Sequence, residues 1–118
     1  MEKMRAMVLS ECAKIETNPL KSTNIDKHQI ERQNEILLKI EACGVCHSQL
    51  HGIEGDWKHI GIPDTLPIVP GHEVVGEIIE IGKNVTKFKI GDRAGITPLL
   101  EACKKCQYCN EGKEYLCE

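Results

Sequence analysis

The sequence is poor in aromatic side chains and lacks any long hydrophobic run. Its aromatic residues are Trp57, Phe88, Tyr108 and Tyr115, in a chain of 118 residues. No stretch approaches the roughly 20 apolar residues that a membrane helix needs, and the first residues include no apolar segment of signal-peptide length. A core must therefore come from aliphatic side chains, and we expect a cytoplasmic protein with no membrane partner.

A strong excess of one charge is missing as well. The chain carries 15 basic and 18 acidic side chains, which gives a net charge of −3. Nucleic-acid binding needs a clustered positive surface, so we exclude nucleic acid as a partner. The length fits one domain over residues 1–118.

Short apolar patterns predict a small β domain. Alternating apolar and polar side chains predict a strand over residues 35–42, and a mostly apolar run predicts another over Val74–Ile81. Residues 4–10, 85–90 and 93–97 are further candidate strands, residues 17–34 resemble a loop, and residues 46–51 resemble a short helical turn. Closely spaced short strands are typical of a β-barrel or Greek-key fold, mainly β with short helices.

Seven cysteines in a chain without an export signal are more typical of reduced thiols and metal ligands than of a disulfide framework. Four of them, Cys103, Cys106, Cys109 and Cys117, follow the spacing C-x2-C-x2-C-x7-C. Four thiolates satisfy tetrahedral Zn²⁺, with sulfurs at about 2.3 Å. A closed site of this kind leaves no position for substrate, so we predict a structural zinc in a lobe over residues 98–118.

Two alternatives stay open for these four cysteines. They could be packed or disulfide-linked, or they could bind an iron–sulfur cluster. The bacterial ferredoxin run separates its third and fourth cysteines by three residues and places proline next, whereas seven residues separate Cys109 from Cys117 and Glu118 follows. Tetrathiolate geometry favours zinc.

A second group of metal-ligating and polar side chains lies where predicted strands end or begin. Its members are Cys46, His47, Ser48, His51, His72 and Glu73. A thiolate from Cys46, an imidazole from His72 and a carboxylate from Glu73 could hold Zn²⁺ with one position open, which is the arrangement that a Lewis-acid site requires.

The same residues allow other interpretations. His72 could be a hydrogen-bonded turn residue, Cys46 a buried apolar thiol and Glu73 a surface charge. Cys43 to His47 spells C-x-x-C-H, the attachment pattern of c-type haem, and includes a C-x-x-C redox pair. The export signal and the thioredoxin-like βαβ context that these functions need are missing. An electron-transfer protein would in addition be coloured.

Residues 71–76, Gly-His-Glu-Val-Val-Gly, are followed by Gly82 and Val85. They resemble, at every fixed position, the zinc signature G-H-E-x2-G-x5-G-x2-V of the medium-chain zinc-dependent alcohol dehydrogenases. Residues 42–48, 55–57, 89–93 and the four-cysteine lobe resemble the same family in the same order. The resemblance implies a GroES-like β-barrel catalytic domain, normally followed by a Rossmann domain that binds NAD or NADP.

Three residues match family positions around a catalytic metal. Cys46 and His72 match two catalytic zinc ligands, and Glu73 matches an acidic neighbour that can approach the metal. Zinc lowers the pKa of bound water to about 7 and should acidify a bound alcohol likewise. The resemblance thus implies reversible oxidation of a small alcohol to an aldehyde or ketone in the full-length enzyme.

Four further residues match family positions around the substrate. Ser48 matches the hydroxyl that hydrogen-bonds the alcohol, and His51 matches the far end of a proton relay, where an imidazole can exchange protons with solvent. His47 matches a contact to the cofactor phosphates. Trp57 matches a residue that lines the substrate pocket.

The sequence departs from the family pattern in two respects. Gln49 stands where the family usually has an aspartate that supports the zinc-ligating histidine, so we expect weaker orientation of His72, an effect of about 10- to 100-fold in affinity or activity. The family's third ligand, a cysteine, lies beyond residue 118, and no G-x-G-x-x-G is present for a dinucleotide.

We therefore expect an N-terminal dehydrogenase domain supplied as a fragment or truncated product. On this hypothesis the isolated chain lacks turnover, holds one zinc tightly at the cysteine lobe, and holds a second weakly or not at all. The alternative is a non-catalytic, zinc-stabilised binding module that pairs with a separate nucleotide-binding chain. The sequence leaves open a homo-oligomer, the identity of the alcohol and the choice between NAD and NADP.

Overall fold

Five short strands and two helices form the framework of the part of the chain that the structure describes. The computed structural model describes residues 2–99 and 101–117. The elements are β1 (Lys3–Leu9), β2 (Leu20–Asp26), β3 (Ile36–Cys43), α1 (His47–Glu54), β4 (Val74–Ile81), β5 (Arg93–Ile96) and α2 (Gln107–Asn110). Single 3₁₀ turns lie at Ile15–Thr17, Lys58–Ile60 and Glu114–Leu116. This confirms a mainly β fold with short helices.

The strands form two separate antiparallel sheets. β1 pairs with β2, and β4 pairs with β3 on one side and with β5 on the other. A single bridge joins Leu9 to Ile68 in the loop that precedes β4. The expected closed barrel is therefore not formed among residues 2–99 and 101–117, since no ladder in that range joins the two sheets.

Two local expectations were wrong. Residues 17–34 were expected to be a loop, yet they include β2, in which only Leu20 and Ile25 are half-buried and the other side chains are exposed, so that no apolar alternation marks it. Residues 85–90 alternate but form no strand, and Phe88 and Ile90 are 45% and 61% exposed. Both edges of β4 are already paired, so this segment serves as the connection between β4 and β5.

The remaining predicted elements agree with the structure to within a few residues. β4 has the predicted bounds, β3 is displaced by one residue, and α1 extends the predicted turn to Glu54. Gly55, at a φ of 80°, ends α1 in a left-handed conformation that glycine adopts without a steric penalty. Within the described ranges, neither helix combines the length and apolar character that a membrane span requires.

Gly76 and Gly82 of the matched signature are positions of close backbone approach. A Cβ on Gly76 would lie 2.3 Å from the carbonyl oxygen of Lys39 on β3. A Cβ on Gly82 would lie 2.2 Å from the carbonyl oxygen of Gln33. Both distances are far below van der Waals contact, so the absence of a side chain is what allows β4 to pack against the segment that includes β3.

The apolar core is small. Its buried hydrophobic side chains are Val8, Leu9, Ile53 and Ile78. The chain exposes 9073 Å², whereas a self-contained protein of this mass exposes roughly 6,400 Å². The radius of gyration is 16.1 Å, against about 13.5 Å for a compact domain of this length. Much apolar surface thus stays accessible.

Candidate functional site

Antiparallel pairing of β3 and β4 brings the two halves of the predicted site together. Cys43, the last residue of β3, is paired with Val74, the first residue of β4. Just beyond this pair, the Gly44 N–H donates to the Glu73 carbonyl oxygen at 2.8 Å. Residues that follow β3 therefore lie beside residues that precede β4, although more than twenty positions separate them in sequence.

The three predicted metal ligands lie together at this edge. One ligand atom from each of Cys46, His72 and Glu73 falls within 4.8 Å of the others, with Cys46 and His72 half-buried and Glu73 exposed. The Ser48 hydroxyl lies 3.1 Å from Cys46 Sγ and 3.1 Å from His72 Nε2. A thiolate, an imidazole and a carboxylate form a donor set that suits zinc with a further position open.

Hydrogen bonding favours the thiolate form of Cys46. The Ser48 hydroxyl donates to Sγ, and this bond is the main reason that the pKa of Cys46 is lowered from its ordinary value. The Ser48 backbone N–H and the His72 side chain act in the same direction, while Glu73 opposes them. A thiolate is the form that binds metal, so the local geometry prepares Cys46 for that role.

A stack of rings lies along α1 and the turn that follows it. His47 and His51, four residues apart on the helix, have ring centroids 4.7 Å apart, and Trp57 stacks on the other side of His51 at 5.0 Å. The His51 side chain is 38% exposed, and its Nδ1 lies 2.8 Å from Asp56 Oδ2. The structure thus places His51 in partial contact with solvent, as the proton-relay hypothesis requires.

Asp56 is a site residue that the sequence reasoning missed. The pKa of its carboxyl is lowered, chiefly by the hydrogen bond from His51, so the carboxylate is ionised at neutral pH and accepts the Nδ1 proton. Residues 55–57 were matched to the family without any role for the aspartate. The available signal was an acidic residue five positions after the proposed relay histidine, just beyond a helix-ending glycine.

Ser48 and His72 open onto an apolar cleft of about 490 Å³. Apolar side chains supply most of its wall, including Leu9, Ile53, Trp57, Ile62, Ile68 and Pro98. Asp64 is a charged residue of the lining. The cleft is large enough for a small organic molecule with an apolar body, and it presents polar atoms at the end where the ligand candidates lie.

The four cysteines near the C-terminus also converge. Their sulfur atoms all lie within 4.8 Å of one another, and Cys103 Sγ lies 3.9 Å from Cys109 Sγ. None of the seven cysteines, all within the described residues, forms a disulfide. Leu100 and Glu118 of the predicted lobe lie outside the described residues.

The thiols of this cysteine group differ in pKa. The backbone N–H groups of Lys105 and Cys106 point at Cys103 Sγ and lower the pKa of that thiol to about 6. Burial raises the pKa of Cys109 to about 12. Sulfurs this close repel one another once ionised, and a divalent cation is the group that brings all four to the thiolate form. The donor set fits a closed tetrathiolate zinc site.

Comparison with known proteins identifies the family. The family profile described as the alcohol dehydrogenase GroES-like domain matches residues 32–118. The chain belongs to this family. An alcohol dehydrogenase of Geobacillus stearothermophilus is 45% identical over 114 residues, which are 97% of this chain and 31% of that protein.

Solved alcohol dehydrogenases share the GroES-like fold. The alcohol dehydrogenase of the archaeon Aeropyrum pernix superposes with a TM-score of 0.81 at 31% identity, over 98% of this chain and 32% of its own. The protein CAD from Helicobacter pylori, solved in complex with NADP(H), gives a TM-score of 0.73 at 34% identity, over 97% of this chain and 31% of its own. The present chain therefore spans about a third of the length of the relatives that it matches.

Proposed function

We propose that this chain forms the metal-binding N-terminal part of an alcohol dehydrogenase that interconverts small alcohols with aldehydes or ketones by using NAD or NADP. The position of Ser48 carries the proposal. Its hydroxyl lies 3.1 Å from both Cys46 Sγ and His72 Nε2, and it lines an apolar cleft. An alcohol whose hydroxyl reaches Ser48 would have its carbon chain among the apolar walls.

Cys46, His72 and Glu73 would hold the catalytic zinc, because their donor atoms already lie within 4.8 Å of one another. When bound there, zinc supplies Lewis acidity that lowers the pKa of an alcohol. Cys103, Cys106, Cys109 and Cys117 would hold a structural zinc that fixes the fold of their segment.

The chain's own residues would orient the alcohol and remove its proton. Ser48 would accept a hydrogen bond from the alcohol, and His51, one helical turn further along α1, would exchange the proton with solvent. Because Asp56 accepts the Nδ1 proton of His51, Nε2 is the ring nitrogen left to receive a proton. The exposed His47 would contact the cofactor phosphates, and Trp57 would close one side of the cleft.

Cobalt substitution of the 118-residue chain tests this assignment. We expect two bound Co²⁺, of which one reports through thiolate absorption from the cysteine lobe and the other changes its visible spectrum when 1-hexanol is added. Ser48→Ala should weaken the hexanol response at least tenfold, whereas Ser48→Thr, which keeps the hydroxyl, should retain it. A hexanol response that is equal in the wild type and in Ser48→Ala would contradict the proposal.

A second candidate is a non-catalytic module that pairs with a separate nucleotide-binding chain. The accessible area motivates this candidate, because the chain's 9073 Å² exceeds the value for a self-contained protein of this mass by about 2,700 Å², and that surface would be covered by a partner or by the remainder of a longer chain. That excess is in the range that obligate interfaces bury. Exposed apolar residues are spread over the chain, with Val45 94% and Tyr115 71% exposed.

Reconstitution separates the two candidates. The chain is mixed with a nucleotide-binding chain, and association is followed by light scattering while oxidation of 1-hexanol is followed with NAD⁺ and NADP⁺. The dehydrogenase proposal predicts turnover that Cys46→Ser abolishes. Association without turnover favours the binding module, and self-association of the chain alone would instead indicate a homo-oligomer.

A further inference from the structure

We propose that Gln49 is a positioning residue that fixes the backbone of Cys46 for metal binding and does so without adding charge to the site. The proposal rests on the proposed function, since it concerns the group formed by Cys46, His72 and Glu73. It differs from the sequence expectation, which connected Gln49 with the orientation of His72.

Gln49 holds both polar groups of the Cys46 backbone. Its side-chain Oε1 accepts a hydrogen bond from the Cys46 N–H at 2.9 Å, and its own N–H donates to the Cys46 carbonyl oxygen at 3.0 Å. Gln49 is the third residue of α1, and Cys46 is the residue that precedes the helix, in an extended conformation at φ −101° and ψ 147°. These bonds belong to a capping box between Cys46 and Gln49, and they fix the direction in which Cβ and Sγ of Cys46 leave the backbone.

The other end of the Gln49 amide lies against the turn that includes His72. A Cβ placed on Gly71 would be 3.6 Å from Gln49 Nε2 and 2.9 Å from Cys43 Sγ. Gly71, at a φ of 151°, therefore passes close to both side chains without room for one of its own. One half-buried glutamine thus holds the segment of Cys46 and lies beside the turn that precedes His72.

An amide at this position accepts the hydrogen bond without a charge of its own. The Cys46 thiolate and the Glu73 carboxylate already place two negative charges in the described part of the site. A carboxylate at position 49 would add one more negative charge beside the thiolate, whereas glutamine supplies the same acceptor oxygen with no charge. The hydrogen bond to Cys46 is thus obtained without like-charge repulsion when the metal is not bound.

Two substitutions separate the hydrogen bond from the charge. Gln49→Met keeps the length and volume of the side chain and removes the acceptor, and Gln49→Glu keeps the acceptor and adds a charge. Gln29→Met, in the exposed segment before β3, is the matched control. Zinc affinity is measured for the 118-residue chain by competition with a chromophoric chelator, and exchange of the Cys46 amide proton is measured by NMR in the metal-free chain.

We expect Gln49→Met to weaken binding of the second zinc by about 10- to 100-fold, the range seen when a residue that orients a ligand is lost. The Cys46 amide should exchange faster in the same variant. Gln49→Glu should restore slow exchange and bind the second zinc at least as tightly as the wild type, and the first zinc at the cysteine lobe should be unchanged in every variant. That unchanged first zinc also reports that the variants fold.

Three results would overturn the proposal. Wild-type affinity for the second zinc in Gln49→Met would show that Gln49 does not position Cys46. A loss in Gln49→Glu as large as in Gln49→Met would show that the acceptor oxygen is not what matters. If the wild-type chain binds no second zinc, then Cys46, His72 and Glu73 do not form a metal site in this chain, and the inference about Gln49 fails with that site. If the wild type binds a second zinc and Gln49→Met binds it equally well, only the role of Gln49 fails.

Discussion

His51 and Asp56 form a hydrogen bond of 2.8 Å between Nδ1 and Oδ2, across the glycine turn that ends α1. The ring of His51 is enclosed by His47 on one side and Trp57 on the other, so its orientation is set by stacking and its tautomer by the carboxylate. A histidine held in this way presents a single nitrogen, Nε2, for proton exchange.

Asp56→Asn should weaken the preference of His51 for the tautomer with its proton on Nδ1. The asparagine keeps the shape of the side chain, but its amide can donate as well as accept, so the preference for a proton on Nδ1 falls. We expect imidazole ¹⁵N shifts to report a single Nδ1–H tautomer in the wild type and a mixture in Asp56→Asn. Asp64→Asn, at an aspartate that lines the cleft, is the control and should leave the His51 signals unchanged. Identical ¹⁵N shifts in the wild type and Asp56→Asn would contradict this role.

The lowered pKa of Glu35 predicts that the free energy of unfolding falls at acidic pH. The Arg32 N–H, the Arg32 guanidinium and the Glu31 N–H lower the pKa of Glu35 from 4.5 to about 2. Because the folded state has the lower pKa, its contribution to stability is complete above about pH 4.5 and is lost as the pH falls toward 2.

Glu35→Gln should flatten this part of the pH profile. Arg32 also contacts Glu101, at 2.9 Å, near the start of the cysteine lobe. Urea unfolding from pH 5 down to pH 2 measures the slope of the unfolding free energy. A slope in Glu35→Gln that equals the wild-type slope would show that Glu35 does not supply the dependence.

How far the sequence predicts this structure depends on what each segment buries. β4 was placed at its observed bounds because an apolar run stands out between glycines. β2 was missed because only Leu20 and Ile25, five positions apart, are half-buried in it, which gives no apolar alternation. The cysteine spacing predicted the convergence of four sulfurs, whereas the hydrogen bond from His51 to Asp56 depends on the turn geometry at Gly55, which no periodic pattern encodes.

Gln49 illustrates the limit most clearly. Its identity as a departure from the family pattern was visible in the sequence. Its contact with the Cys46 N–H depends on α1 beginning at His47, and an element boundary of that kind is not fixed by composition or periodicity.

Two glycines offer a matched test of the packing between β3 and β4. Gly76→Ala should destabilise the chain by about 1–3 kcal/mol or more, because its Cβ would lie 2.3 Å from the Lys39 carbonyl oxygen. Gly52→Ala has no heavy atom within 4 Å of the new Cβ and lies inside α1, so it should stabilise by up to about 1 kcal/mol. Denaturant unfolding measures both values. Equal effects of the two substitutions would contradict the close approach of the strands.

Trp57 provides an internal probe of the cleft. It is the one tryptophan in the sequence, and it lines the cleft while stacking on His51. We expect 1-hexanol to change the emission of Trp57 in a saturable way, since its carbon chain would displace water from apolar walls. Ile62→Ala, which removes part of the wall, should weaken this response severalfold. A response that increases linearly without saturation would show that the cleft does not bind the alcohol.

The most direct test is the zinc content of the purified 118-residue chain before and after treatment with a strong chelator. The account predicts at least one zinc per chain that Cys106→Ser removes, and loss of amide protection over residues 101–117 when the zinc is stripped. A chain that is free of transition metal as purified, and equally protected over residues 101–117 with and without chelator, would contradict the account.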